Sequence, residues 1–176
     1  MEKLSAILRP VRREDIERSL VWRNNLDTKA RAMSYRLPVT ELMEQKWIEE
    51  AMDGNKNRIV YAIEETENNT HVGFADISEI DYFNRNAHYS ILIGDHSYRG
   101  KGIASEAVKQ VLTYAFNELN LVRIYGEIAE DNEASLNFHL KLGFKKEGVQ
   151  RKHLYQNGVY LDKIYVGILK EEFNAQ

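Results

Sequence analysis

The sequence predicts a mixed α/β fold in which a central, mostly antiparallel sheet is flanked by about four helices. Short apolar runs typical of strands alternate along the chain with segments of helical periodicity. One of these segments, from Ile103 to Leu119, carries an unbroken i, i+3, i+4 apolar stripe, which indicates a long helix with one face on a core. The last two predicted strands are joined by Asn157-Gly158, the pair most typical of a tight hairpin. Alternating elements that include hairpins indicate a mixed sheet with helices on its faces.

The first half of the chain contains two predicted helices and four predicted strands. Thr40 is placed to cap the second helix, in which Met43, Trp47 and Ala51 recur at four-residue spacing. Asparagine and aspartate residues separate the strands. In order, we predict a strand at Ser5–Arg9, a helix at Glu14–Trp22, irregular structure at Asn24–Leu37, the helix that Asp53-Gly54-Asn55 ends, and strands at Ile59–Glu64, Val72–Ile80 and Ala87–Ile93.

The second half begins with the long helix. A glycine, Gly143, is placed to end the helix before it in the left-handed conformation that glycine adopts without strain. In order, we predict a strand at Val122–Ile128, a helix at Glu133–Leu142, and strands at Val149–Gln156 and Val159–Leu169.

Composition limits the classes of function. With 176 residues, 43% of them apolar and 29% charged, the chain is predicted to be one globular domain over residues 1–176. A net charge of -3 predicts no nucleic acid as main partner, and the absence of cysteine excludes disulfides, thiolate metal sites and a cysteine nucleophile. No signal peptide or membrane span is found, so we expect a cytoplasmic protein with no membrane partner.

The loop Tyr98–Ala104 precedes the long helix and contains Gly100 and Gly102. Glycines let a ligand approach the backbone closely, and the first amides of a helix lack internal acceptors and lie at the positive end of its dipole. These features suit a pyrophosphate, to which Arg99 and Lys101 add positive charge. The loop lacks the Lys-Ser/Thr of a Walker loop and the third glycine of a dinucleotide fingerprint.

A second polar group lies on the predicted helix after Val122–Ile128. At about 100° per residue, Asn132, Ser135 and His139 fall on one side of that helix, between apolar residues. This pattern indicates a helix that lines a cleft. The alternative interpretation is structural, with a capping asparagine, a serine bonded to its own helix and a hydrogen-bonded core histidine.

These two segments resemble the GCN5-related N-acetyltransferases. The run Arg99-Gly-Lys-Gly-Ile-Ala104 is similar to the family signature Arg/Gln-x-x-Gly-x-Gly/Ala, and Asn132 through Gly143-Phe144 is similar to its second motif. The resemblance implies an enzyme that transfers an acetyl group from acetyl-coenzyme A to a primary amine. It also implies the residues that bind coenzyme A: backbone at Ile91, Leu92 and Ile93 for the pantetheine arm, Arg99, Gly100, Lys101, Gly102, Ile103 and Ala104 for the pyrophosphate, and Asn132 and Ser135.

The catalytic residues are less defined. His139 stands where the family commonly has a tyrosine that protonates the departing thiolate, and a reference pKa of about 6.5 suits histidine to that task. Tyr98, Tyr125 and Tyr155 are alternatives. His88 and Glu79, on adjacent strands predicted to face one cleft, are candidates for the base that takes a proton from the amine, with a purely structural role as the alternative. No metal is predicted.

The resemblance leaves three acceptors open. Trp22-Arg23, Met33 and Trp47 resemble enzymes that acetylate amino sugars of nucleotide sugars, which we favour because Arg36 would repel a polyamine. The run from Val72 through the Asn157-Gly158 hairpin is equally similar to spermidine acetyltransferases, for which Asp76, Glu79 and Asp81 would hold a cationic acceptor. Acetylation of ribosomal-protein N-termini is the third possibility, and an acyl-coenzyme A-binding module without activity is the non-enzymatic one. The final hairpin suggests a homodimer.

Overall fold

The computed structural model describes residues 4–31, 33, 37–54 and 56–174. Within these residues seven strands form one sheet of order β1-β2-β3-β4-β5-β7-β6. Neighbouring strands are antiparallel except β4 and β5, which confirms the mixed, mostly antiparallel sheet. The strands are β1 Ala6–Pro10, β2 Ile59–Glu65, β3 Thr70–Asp81, β4 Asn86–Ile93, β5 Arg123–Ala129, β6 Lys145–Gln156 and β7 Val159–Leu169.

Six α-helices accompany the sheet in the described part of the chain: α1 Ile16–Asn24, α2 Leu26–Arg31, α3 Glu41–Asp53, α4 Ile103–Asn117, α5 Glu133–Lys141 and α6 Lys170–Asn174. The four helices of nine residues or more are the predicted ones. As expected, Thr40 accepts a hydrogen bond from the Met43 amide at the start of α3, and Gly143 follows α5 with φ 87°. None of the described helices has the length and apolar character needed to cross a membrane.

The prediction of irregular structure at Asn24–Leu37 is wrong for residues 26–31, which form α2. Two local contacts stabilise this short helix: the Asn25 side chain accepts from the Thr28 amide at 3.0 Å, and Arg31 pairs with Asp27 one turn earlier at 2.9 Å. The short helix α6 was also not predicted; Glu172 accepts from the Leu169 amide at its start. Arg36, predicted to repel a polyamine, lies outside the described residues.

Apolar residues pack on both faces of the sheet because alternate residues of a strand point to opposite faces. Ala75 and Ile77 of β3 join the larger cluster, which contains all the buried apolar residues of α4, from Ile103 to Phe116. Phe74 belongs to a second cluster with Trp22 of α1 and Ile48 of α3. The long helix therefore covers one face, and α1 and α3 cover the other.

The only parallel pair in the described sheet, β4 with β5, is short. The strands pair from Asn86–Arg123 to His88–Tyr125 and no farther, although β4 continues to Ile93 and β5 to Ala129. On its other side β4 stays paired with β3 as far as Ile93 opposite Gly73. The sheet therefore opens between Ile91–Ile93 and β5.

A buried ionic network connects β1, β3 and the start of α1. Arg9 donates to both carboxylate oxygens of Asp15, at 2.9 and 2.7 Å, and Nδ1 of His71 lies 3.1 Å from Asp15 Oδ1. Asp15 is only 3% exposed. Burial alone would raise the pKa of Asp15, but the hydrogen bonds from Arg9 and His71 hold it well below its usual range.

We expect Asp15→Asn to lower the free energy of unfolding at pH 7 by about 3–5 kcal/mol, because Arg9 loses its buried counter-charge and His71 loses its carboxylate partner. A carboxyl pKa lowered by folding stabilises the native state above its unfolded value of about 4, and that contribution is lost as the pH falls below it. Urea denaturation at pH 7 and pH 3.5 tests both effects. Asp131→Asn, at an exposed position, is the control. An unchanged unfolding midpoint at pH 7 would contradict the role of the network.

Candidate active site

The glycine loop leads into α4 in the conformation that its sequence predicts. Gly102 is the N-cap residue of α4 with φ 91°, and Gly100 has φ 74°, so both lie in the left-handed region that glycine adopts without strain. The first bond of the helix joins the Glu106 amide to the Gly102 carbonyl at 3.1 Å. The amides of residues 103–105 therefore have no acceptor inside the helix, and they lie at its positive end. This arrangement fits a pyrophosphate.

A cavity of about 470 Å³, here called the loop cavity, lies beside these amides. It extends from the loop to the opening between β4 and β5, and residues of α5 line it. Its walls are Arg31, Ile91, Leu92, Ile93, Tyr98, Arg99, Gly100, Gly102, Ala104, Ser105, Ala134, Ser135, Phe138 and His139. The structure thus brings together most of the residues predicted to bind coenzyme A.

Three of the predicted cofactor residues do not line the loop cavity. The Ile103 side chain is fully buried in the core, and Lys101 Nζ lies 5.4 Å from the centre of the Tyr98 ring. Asn132 is the N-cap residue of α5, where its side chain accepts from the Ser135 amide at 3.2 Å. For Ile103, what remains available to a ligand is its backbone amide.

A second cavity, here called the sheet cavity, lies on the α1 and α3 face of the sheet and has a volume of about 350 Å³. It shares Arg31, Ile91, Leu92, Ser135 and His139 with the loop cavity. The rest of its wall is Arg23, Thr28, Met33, Trp47, Arg58, Val60, Phe74, Asp76, His88, Tyr89, Ser90, Gly126 and Glu127. The two cavities therefore meet at the opening of the sheet, with His139 at the junction.

Both carboxylates in the wall of the sheet cavity already have cationic partners. Asp76 accepts from Arg58 Nε at 2.5 Å and from Ser78 at 3.0 Å. Glu127 accepts from Lys163 Nζ at 3.0 Å, and this pairing helps keep the pKa of Glu127 low despite its burial. The wall is therefore not an acidic surface.

Two arginines flank the indole of Trp47 in the same wall. The guanidinium carbons of Arg23 and Arg58 lie 5.0 and 5.6 Å from the ring centre, within the range of cation–π attraction. Among the described residues, Arg23 donates one side-chain hydrogen bond, to Glu44 at 3.0 Å, and Arg58 donates one, to Asp76. Each guanidinium carries five N–H donors, so within the described residues most of these donors are available to a ligand.

His139 is 6% exposed, and its Nδ1 lies 2.6 Å from the Ser135 carbonyl oxygen. A carbonyl only accepts hydrogen bonds, so Nδ1 carries the proton, and in the neutral ring Nε2 presents a lone pair. Burial lowers the pKa of His139, with a smaller opposing effect from the bond to Ser135. The neutral, Nδ1-protonated ring accepts a proton at Nε2 and has none to donate there.

The other predicted catalytic residues lie in different surroundings. His88 lines the sheet cavity, and its Nδ1 is 3.3 Å from the Ser78 hydroxyl. Glu79 is exposed, has φ 52° at an irregularity of β3, and accepts from the Tyr125 hydroxyl at 2.9 Å. Neither Glu79 nor Tyr125 lines the two cavities, and Tyr155 is 52% exposed on the final hairpin. Of the alternative tyrosines, only Tyr98 lines the loop cavity.

Sequence reasoning missed several residues of this site, among them Arg58, Arg31 and Tyr89. Arg31 lines both cavities, and the spacing of Asp27 and Arg31 could have indicated the helix that positions it. Asp27 also accepts from Arg99 at 3.1 Å, so α2 is tied to the glycine loop. Tyr89 lies in the wall of the sheet cavity and had no signal in the sequence, because alternation alone assigns it to the core.

The fold and the site together define an acyl-coenzyme A-dependent transferase, with a loop and helix start that fit a pyrophosphate beside an opened sheet. The family model of the acetyltransferase (GNAT) domain matches residues 6–145. The chain therefore belongs to the GCN5-related N-acetyltransferase family, and it is an N-acetyltransferase with acetyl-coenzyme A as co-substrate.

Similar proteins have related names. The SPbeta prophage-derived uncharacterized N-acetyltransferase YokL of Bacillus subtilis (strain 168) is 32% identical over 167 residues, which cover 94% of this chain and 90% of that protein. Spermidine N(1)-acetyltransferase of Escherichia coli (strain K12) is 29% identical over 176 residues, 98% and 90% of the two chains. The crystal structure of spermidine N-acetyltransferase from Vibrio cholerae in complex with CoA and spermine has a TM-score of 0.88 at 23% identity, with 96% and 98% covered. This last likeness shows the fold.

Proposed function

We propose that the acceptor is a primary amine carried by an anionic molecule, such as the amino sugar of a nucleotide sugar. The observation that supports this proposal is the wall of the sheet cavity, where Arg23 and Arg58 flank Trp47 while Asp76 and Glu127 are already paired. Guanidinium groups suit carboxylates and phosphates, and an indole offers a stacking surface to a planar group. The amine would enter from this cavity and meet the thioester at the junction.

The chemistry requires a neutral amine nitrogen, a polarised carbonyl and a base. Those backbone N–H groups of Ile91–Ile93 that point to the opening, and not to β3, would donate to the carbonyl oxygen. As the nitrogen–carbon bond forms, the amine becomes acidic, and Nε2 of His139 accepts its proton. We therefore assign His139 the role of base, with His88 as the alternative on the acceptor side.

A polyamine is the second candidate, because spermidine acetyltransferases are among the similar proteins. The acidic residues predicted to hold it are engaged elsewhere. Asp76 is bonded to Arg58, Glu79 accepts from Tyr125, and Asp81 accepts from the amides of Phe83 and Asn84 at 2.9 and 2.8 Å. The cavity wall therefore supports an anionic acceptor better than a polycation.

The deciding experiment measures thiol release from acetyl-coenzyme A with three acceptors: an amino-sugar nucleotide, spermidine and a ribosomal N-terminal peptide. We expect the highest kcat/KM with the amino-sugar nucleotide. A clear preference for spermidine or the peptide would refute the proposed acceptor. Tight binding of acetyl-coenzyme A without thiol release for any amine would instead support a binding module.

We expect Arg58→Gln to change the two acceptor preferences in opposite directions, because it removes a cation and leaves Asp76 without its cationic partner. The KM for the anionic acceptor should rise about tenfold, which is the effect of losing one charged hydrogen bond, and the KM for spermidine should fall. Arg13→Gln is the matched control, since the Arg13 side chain is 72% exposed. Parallel changes of both KM values would show that Arg58 has no part in recognition.

Several expectations stay predictions. These are one domain over residues 1–176, a cytoplasmic location, no metal, no nucleic acid as partner, and a homodimer. A spermidine N-acetyltransferase of Vibrio cholerae has a dodecameric structure, so the assembly of this chain is best measured directly by light scattering.

A further inference from the structure

Tyr89 carries a buried hydroxyl with no hydrogen-bond partner among the described residues. Nδ1 of His71 is the only other buried side-chain polar atom in that part of the chain without a hydrogen bond of regular geometry, and it has a charged partner beside it, the Asp15 carboxylate at 3.1 Å. Tyr89 is 2% exposed. An unpaired buried hydroxyl is costly and rare in proteins, and such a group is often completed by a ligand or has a role in catalysis.

The Tyr89 residue lies at the point where the sheet opens between β4 and β5. Pairing of β4 with β5 ends at His88 and Tyr125, so Tyr89 and Gly126 are the first residues beyond the pair. A Cβ at Gly126 would lie 3.2 Å from Cε1 of Tyr89, so the glycine leaves room for the ring. Both residues line the sheet cavity together with His139 at its junction with the loop cavity.

The Tyr89 ring also contacts the histidine at the junction. The ring centres of Tyr89 and His139 are 5.7 Å apart, and Tyr89 stacks on Phe144 at 5.3 Å. Neutral His139 has its proton at Nδ1, held by the Ser135 carbonyl, so until it has taken up the amine proton it has none to give to the departing sulfur. Burial raises the pKa of Tyr89 well above its ordinary value of 10, which keeps this phenol protonated.

We propose that the Tyr89 hydroxyl is the group that donates its proton to the departing sulfur of coenzyme A. This inference rests on the proposed transfer to an amine. The nitrogen–carbon bond forms and the carbon–sulfur bond breaks, with the bonding electron pair leaving on sulfur. The amine proton passes to Nε2 of His139, the Tyr89 proton passes to sulfur, and the imidazolium returns a proton to the Tyr89 oxygen, directly or through one water. The products are the amide and the thiol, and both side chains regain their starting states.

The test is Tyr89→Phe, assayed for thiol release with the best acceptor. We expect kcat to fall about 100-fold, as for the loss of a proton donor, while the Kd for acetyl-coenzyme A and the melting temperature stay the same or improve. Tyr61→Phe is the matched control, because Tyr61 also loses a phenol hydroxyl but packs on Tyr114 away from both cavities. Its kcat should be unchanged.

The outcomes separate this inference from the proposed function. If the wild type acetylates an amine and Tyr89→Phe has the same kcat, the role of Tyr89 is overturned and the proposed function is not. A lower kcat accompanied by weaker acetyl-coenzyme A binding and a lower melting temperature would make Tyr89 a packing residue and also overturn it. A wild-type chain that binds acetyl-coenzyme A and acetylates no amine would overturn both proposals.

Discussion

Gly102→Val is expected to weaken the binding of acetyl-coenzyme A at least 100-fold. Valine is strained at φ 91°, and its side chain would stand beside the free amides of residues 103–105, where the pyrophosphate has to approach the backbone. Several charge-assisted hydrogen bonds are lost together, each worth about 1.5–3 kcal/mol, so a large effect follows. Isothermal titration calorimetry measures the affinity.

Two further variants keep this result interpretable. Gly148→Val places the same side chain where a Cβ has no neighbour within 4 Å, and its affinity should equal that of the wild type. Ala104→Val adds bulk to the wall of the loop cavity at a helical position without changing the Gly102 conformation, so it should also weaken binding. It replaces Gly102→Val as the test if that variant fails to fold. Wild-type affinity in a folded Ala104→Val or Gly102→Val protein would show that the helix start does not hold the pyrophosphate.

His139→Gln is expected to lower kcat by about 10²- to 10⁴-fold, the range for loss of a general acid or base. The amide keeps a similar size but cannot take up the amine proton. The Kd for acetyl-coenzyme A should change little, since the amides of α4 are untouched. His153→Gln, at an exposed position on β6, should retain wild-type kcat. Equal kcat values for the two variants would exclude His139 from the reaction.

The pH dependence of kcat distinguishes the two chemical roles of His139. Burial lowers its pKa, so the basic form predominates at neutral pH and is lost only below its ordinary value of about 6.5. A base therefore gives a rate that rises with pH below about 6.5 and then levels, whereas an acid gives a rate that falls over the same range. Stopped-flow assays from pH 5 to pH 8 measure this limb. A kcat that falls as the pH rises over this range would show that His139 acts as an acid.

Much of this fold follows from local patterns in the sequence. The stripe of α4 predicts a buried face because i, i+3 and i+4 positions coincide on a helix, and Gly100 and Gly102 mark a conformation that other residues avoid. The same reasoning places Ser135 and His139 on a cleft-lining face of α5, where the structure has them. Periodicity and glycine are short-range signals, and they are reliable for that reason.

The missed features depend on contacts that are distant in sequence. Asp27 on α2 pairs with Arg99, 72 residues away, and no pattern near either residue indicates the contact. The sequence around Asn132 is typical both of a ligand-binding residue and of a helix cap, and in the structure Asn132 caps α5. Arg58, just before β2, pairs with Asp76 of β3, and this pairing decides whether the Asp76 carboxylate is available to a ligand. The sequence alone does not show the pairing, because it depends on the register of β2 against β3.

The gap between β4 and β5 also determines what kind of molecule can enter. Exposed edges of sheets attract other chains, but here Ile91–Ile93, which lack a partner only on the β5 side, lie in the middle of the sheet, next to α5. Strands are spaced about 4.8 Å apart, so a slender linear ligand with its own amide groups fits such a gap in the manner of an inserted strand. The break in the hydrogen-bond ladder thus leaves backbone groups for a ligand without adding an edge at the outside of the sheet.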